Sequence, residues 1–300
     1  MEQRLRFVSG LVDPLRVEPG RKINLQRDFD PGDTAGLSSK GEASARLAEG
    51  VSLLVDYQDR LSAQDVYGVL LVLQGLDASG KDSTIKHVMS GVNPQGVEVK
   101  SFKQPSTEEL KHDFLWRYQR ALPERGRIGI FNRSHYEEVL VVRVHPELLA
   151  AERVPASARS GSVWKQRYRQ INDWEHHLVD NGIRVVKVFL NLSREEQARR
   201  FLARIDNPAK NWKFSPSDIR ERRYWDEYQT AFETMLSHTS TEWAPWYVVP
   251  ADHKWFGRLA TAAVLVGILA EIDPQYPEVP PETMRDMDAA RPQLVAESQI

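Results

Sequence analysis

"YGVLLVLQGLDASGKDST", residues 67–84, decides how the rest of the chain is read. Its apolar run closes on Gly75, as a strand buried on both faces of a parallel sheet does. The residues from Gly75 to Lys81 have the form G-x-x-x-x-G-K, a phosphate-binding loop that opens a helix near Lys81. Gly75 and Gly80 allow the tight path. The backbone N–H groups of Ala78, Ser79 and Gly80 form an anion nest, and Lys81 adds a point charge at the helix start. Two acids break the usual pattern. Asp82 stands where a magnesium-holding hydroxyl is expected, with Ser83 and Thr84 beside it as replacements, and Asp77 lies within the loop. An uncompensated carboxylate there repels phosphate. A divalent cation, held by few carboxylates and by substrate oxygens, removes the conflict.

Outward from the loop the pattern repeats. "VEVKSF" (97–102), "RIGIFN" (127–132), "RVVKVFLNL" (184–192) and "WYVVPA" (246–251) read as further strands. Helices are expected over 42–61, 107–122, 164–178 and about 254–271, from apolar spacing and, at 122, from a stop at Pro123. Strands separated by helices predict an α/β fold with a parallel sheet covered on both faces. Residues 1–40 have no clear period and read as an arm, 41–272 as the P-loop domain, and 273–300 as a surface tail.

Composition narrows the function. Forty Lys and Arg against forty-two Asp and Glu leave a net charge of −2, so nothing marks a nucleic-acid or membrane binder, and a polyanion needs a local basic patch. Cysteine is absent, which removes disulfides, thiolate metal sites and cysteine nucleophiles. No stretch reads as a signal peptide or reaches membrane-spanning length, and a cytoplasmic location is the expectation.

Two further segments carry chemistry. "FNRSHYEEVL" (131–140) places Asn132 and Arg133 at the carboxyl end of the third strand, where open α/β sheets bind ligands. Arg133 suits a bidentate clamp on a transferring phosphoryl group. The acid that usually ends this strand is missing, and Glu137 is expected to supply it, so Asp77 and Glu137 are the candidate metal ligands. His135 reads as a packing residue. From Arg194 to Arg223 nine basic residues face five acids around the breaker "DNPAKNWKFSPSD" (206–218), which suggests a helical lid. The stripe Trp225, Tyr228, Phe232 and Met235 reads as core.

The segments "GLDASGKDSTIKHVMSGVNPQG" (75–96), "SFKQPSTEELKHDFLWR" (101–117), "FNRSHYEEVLVVRVHP" (131–146) and "DIRERRYWDEYQTAFE" (218–233) together resemble the family-2 polyphosphate kinases. The resemblance covers most of residues 40–270. It implies a nucleotide-kinase fold that moves phosphate between inorganic polyphosphate and adenine nucleotides, with guanine nucleotides as a second option. It implies magnesium, or manganese in its place; the terminal arms and aromatic helices point to self-association. Residue by residue, it implies that Lys81 and the loop hold the donor and that Asp77 positions the acceptor and the metal. Arg133 would stabilise the transferred group, assisted by Arg117, while Arg199, Arg200, Arg204 and Lys210 would close over the polyphosphate. Many members end the third strand in Asp with a neutral polar residue five places on. Asn132 with Glu137 resembles the class III subgroup, which accepts nucleoside mono- and diphosphates. An ATP-dependent monophosphate kinase and a non-catalytic sensor are the competing readings; the acid-bearing loop argues against the first, and intact Asp77, Lys81, Arg133 and Glu137 against the second.

Overall fold

The computed structural model describes residues 8–152, 154–155 and 163–298, so the first seven residues of the arm and the last two of the tail lie outside it. Its centre is a parallel five-stranded sheet in the order β2-β3-β1-β4-β5. The strands are β1 (Gly68–Gln74), β2 (Val97–Ser101), β3 (Ile128–Asn132), β4 (Ile183–Asn191) and β5 (Trp246–Pro250), each close to its sequence expectation. From β1 the chain crosses to the edge strand β2, returns to lay β3 between β2 and β1, then jumps to β4 and β5 on the other side of β1. The order therefore reverses beside β1, and the crevice at its carboxyl end receives the loop.

Alternation along the strands feeds two cores. Val69, Leu71 and Leu73 face one, with α1 (Lys40–Gln64) and the later helix α7 (Lys254–Ile272). Leu70 and Val72 face the other, with α3 (Val163–Asp180) and α6 (Trp225–Thr239). Truncating a central member such as Leu71 to Ala costs roughly 2–5 kcal/mol. Between these helices the chain forms α2 (Lys81–Val88), α4 (Arg194–Ile205) and α5 (Pro216–Glu221); α8 (Pro281–Glu297) ends the described chain with no buried residue.

Three expectations need correction. The helix expected over 107–122 is broken into a 3-10 turn at Glu109–Lys111 and a short helix at Trp116–Gln119. Asp113 accepts from Leu115 N at 3.0 Å, and such side-chain bonds compete with helical ones. Phe102 and Tyr118 then pack on one another and on Phe131 at the end of β3. The arm carries more order than its lack of period suggests: Val17 N donates to Trp246 O at 2.8 Å, and Val17, Ile23 and Leu25 are buried. Finally, α7 is long and apolar enough to cross a membrane by length and composition, yet most of its apolar stretch is buried. Its hydrophobicity is explained by packing between the sheet and α1.

Candidate active site

The loop leaves β1 through Gly75 at φ 152°, where a Cβ would stand 2.8 Å from Ser79 Oγ and 3.0 Å from Leu190 O. Gly80 turns the chain into α2 at φ 106°, and Ala78 also adopts the left-handed region at φ 66°. Lys81 is buried, and its Nζ donates to Gly75 O at 2.6 Å and Leu76 O at 3.2 Å. Burial first, then the charge of Arg133, lowers its pKa to about 8, against the opposing pull of Asp77, Glu137 and Asp82.

Arg133 ties the two segments together. Its φ of 63° is strained for a non-glycine residue and costs roughly 1–3 kcal/mol. The guanidinium donates to Asp77 Oδ1 at 2.5 Å through Nη2 and to Glu137 Oε2 at 3.1 Å through Nη1. Glu137, then Asp77, hold the guanidinium's pKa above its ordinary value. The expected trio of Asp77, Arg133 and Glu137 is thus one contiguous ion-paired unit beside Lys81. It opens into a solvent-open cleft, also bordered by Gln197, Asp218, Glu221, Arg222, Trp225 and Tyr228. Gln197 Nε2 donates to Asp77 O at 2.9 Å, and Tyr228 Oη donates to Glu221 Oε2 at 2.9 Å. Burial raises the pKa of Asp218, and the charge of Asp77 adds to it. Sequence pattern did not place these wall residues at the loop: Arg222 read as a lid cation, Trp225 and Tyr228 as core, and Gln197, Asp218 and Glu221 carried no signal. Of the aromatic stripe, Tyr228, Phe232 and Met235 are buried as expected, whereas Trp225 is half-buried on the cleft wall.

The neutral end of β3 has a structural reason. Asn132 Nδ2 donates to Asp82 Oδ1 at 2.8 Å. A carboxylate at 132 would instead face Asp82, and two like charges at that range do not both ionise without a cation. Asp82 Oδ2 lies 3.9 Å from Lys213 Nζ of the lid segment. Ser83 does not stand in for the missing loop hydroxyl: it is engaged on the far side of α2, where its Oγ accepts from Arg258 Nη2 at 2.7 Å.

The expected lid cations separate into different roles. Arg200 is not a free cation. Its side chain is 5% exposed, and its guanidinium donates to Ala78 O and Ser79 O at 2.9 Å each, to Asp252 O at 3.0 Å, to Ala251 O, and to Glu196 Oε1. It braces the loop from behind. Arg199 is 69% exposed with Glu196 as its ion-pair partner. Arg204 pairs with Asp218 at 3.6 Å, and Lys210 lies exposed on the 3-10 segment Pro208–Lys213. Arg117 pairs with Glu109 at 3.1 Å and lies over the Phe102 ring, so its described partners are outside the Asp77–Arg133 unit. His135 is buried against Glu175 at 3.2 Å, a packing role as expected.

Among the described residues no group of three or more His, Cys, Asp and Glu forms a metal site by itself. Asp77 and Glu137 on either side of one arginine still fit magnesium, a hard cation that takes one or two carboxylates and fills its shell with phosphate oxygens and water.

The chain is 50% identical over 284 residues to an ADP-polyphosphate phosphotransferase of Rhodopseudomonas palustris, covering 93% of this chain and 97% of that protein. It is 44% identical over 269 residues to an AMP/ADP-polyphosphate phosphotransferase of Meiothermus ruber, covering 89% and 96%. The crystal structure of polyphosphate kinase 2 from Arthrobacter aurescens TC1 superposes with a TM-score of 0.83 at 39% identity, covering 94% of this chain and 95% of that one. The family pattern of polyphosphate kinase 2 matches residues 37–277, so this chain belongs to the polyphosphate kinase 2 family.

Proposed function

We propose that this chain transfers a phosphoryl group between inorganic polyphosphate and a nucleotide, with AMP and ADP both used as acceptors. The observation that carries the reading is the Asp77–Arg133–Glu137 unit set against Lys81. A terminal phosphate oxygen of the acceptor attacks the terminal phosphorus of the chain. The bond to the next phosphate breaks, and the polyphosphate leaves one unit shorter. No proton has to be removed, because the attacking oxygen is already anionic. The protein's work is positioning and charge stabilisation.

The loop N–H groups and the Lys81 ammonium hold the donor. Phosphate oxygens displace Gly75 O and Leu76 O as the lysine's partners, which favours its charged form. Arg133 spans acceptor and donor, and its fork meets the equatorial oxygens of the group in flight. Asp77 and Glu137 aim that fork and would hold magnesium, which would neutralise phosphate charge at the point of transfer. The neutral Asn132 keeps Asp82 hydrogen-bonded and removes one fixed charge from the acceptor's path. That leaves a mono- and a diphosphate free to present their terminal oxygens at different depths. The relatives' names divide on this point: one specifies ADP alone, the other AMP and ADP.

A time course with AMP, magnesium and excess polyphosphate tests the reading. ADP should rise first and ATP should appear after it. ADP that accumulates without ATP would remove the dual-acceptor claim, and no product from either nucleotide would remove the transfer itself.

A further inference from the structure

The loop has a second face. Between the first turn of α2 and the start of α7 lies a small, solvent-open pocket bordered by Ser79, Gly80, Ser83, Lys254, Gly257 and Arg258. None of these residues borders the cleft of the Asp77–Arg133–Glu137 unit. Lys254 and Arg258 are the two cations of α7, one turn apart at its N-terminal end, and the rest of the helix is apolar apart from Thr261 and Glu271. Cations are disfavoured at a helix N-terminus, where the dipole is already positive.

Neither is neutralised by a neighbour. Among the described residues no carboxylate forms an ion pair with Lys254 or Arg258; the guanidinium donates to the Ser83 hydroxyl, and its Nε is buried without a partner. Ser79, 3% exposed, also has a hydroxyl with no partner. Burial lowers the pKa of Lys254, and the charges of Arg200, Lys210 and Arg258 add to that, opposed by Glu196. Glu196 is already shared between Arg199 and Arg200. An exposed Lys254 and a partly buried Arg258, beside unpartnered donors and without their own acid, suit an anion with several oxygens.

We propose that this pocket is a second phosphate subsite, which holds a segment of the donor chain several phosphates behind the one being transferred. The assignment rests on polyphosphate being the donor. Gly80 is the wall shared with the anion nest, so the two phosphate positions adjoin. Lys254 and Arg258 then contact phosphates that a short donor, filling only the loop, never brings to the pocket.

The test compares long-chain polyphosphate with tripolyphosphate, both with ADP and magnesium, in the full chain and in Lys254→Gln, Arg258→Gln and Arg258→Lys. The preference for the long donor, as a ratio of kcat/KM, should fall about tenfold in each glutamine variant, through KM, as loss of one charged hydrogen bond implies. Arg258→Lys should recover part of it. An unchanged ratio in both glutamine variants overturns the proposal. Equal losses with both donors also overturn it, because the pocket then only props the loop. If added orthophosphate inhibits the wild type but not the variants, while the long-chain KM holds, the pocket serves free phosphate and the donor path is wrong. Absence of ATP from the wild type with either donor is a separate result; it defeats the proposed function and takes the subsite with it.

Discussion

Replacing Arg200 with Gln separates a brace from a substrate contact. The side chain donates to four backbone carbonyls, two in the loop and two after β5, and pairs with Glu196. A hydrogen bond from a charged donor contributes about 1.5–3 kcal/mol, but bonds that share one hub do not add. Breaking a buried charged hub as a whole costs roughly 3–5 kcal/mol. At about 2–4 °C per kcal/mol for a domain of this size, Arg200→Gln should melt about 6–20 °C below the wild type. Arg199→Gln removes one exposed ion pair, whose median worth is about 0–1 kcal/mol, so its melting temperature should move by no more than about 4 °C. Paired thermal melts monitored by circular dichroism decide the matter, with activity measured well below both midpoints. There Arg200→Gln should lower kcat, since the loop carbonyls it holds set the nest, and Arg200→Lys should restore part of it. If Arg200→Gln melts within about 2 °C of the wild type and changes only the polyphosphate KM, the brace reasoning fails and Arg200 is a donor contact.

Lys81→Ala should abolish transfer and leave the fold intact; measurable turnover in the folded variant would remove the loop lysine from the mechanism. Because the lysine's pKa is lowered to about 8 without ligand, the unfolded chain binds the extra proton between there and the ordinary 10.5. Its folding penalty, on the order of 3 kcal/mol, is therefore full below about pH 8 and fades as pH rises towards 10.5. Phosphate binding reverses that preference, so calorimetry in buffers of different ionisation enthalpy should record uptake approaching ~1 proton per site at about pH 9 and little at about pH 6.5. Asp77→Asn should lower kcat by at least about a hundredfold while polyphosphate affinity changes less than about threefold, since the carboxylate aims Arg133 and meets metal, not donor; equal losses in both would make Asp77 structural. Asn132→Asp should cost about 1–3 kcal/mol in metal-free buffer by facing Asp82, with much of the loss recovered in millimolar magnesium. A melt of that variant indifferent to magnesium would contradict the charge argument.

Periodicity and the loop motif were enough for the strands, the two-sided parallel sheet and the grouping of Asp77, Lys81, Arg133 and Glu137, because each rests on local spacing at strand ends. The break in residues 107–122 was not legible. Helical spacing there is real, and the bond from Leu115 N to Asp113 competes with the helical ladder all the same. Nor did the run of basic residues from Arg194 to Arg223 reveal that Arg199 and Arg200 part company. Neighbours on a helix point about 100° apart, and only the packed position of α4 shows which one meets the loop. One signal was present and unused: two cations, four residues apart, opening an apolar helix at Lys254.

The backbone chemistry of the loop is written in the order of its residues, because its glycines, nest and lysine act within a few positions of one another. The state of each charge is not: which acid Arg133 joins, why position 132 is neutral, and which arginine is spent on carbonyls all wait for the packed fold. Charge–charge energies depend on distance and burial across the sheet, and both are settled only when strands far apart in the chain lie side by side.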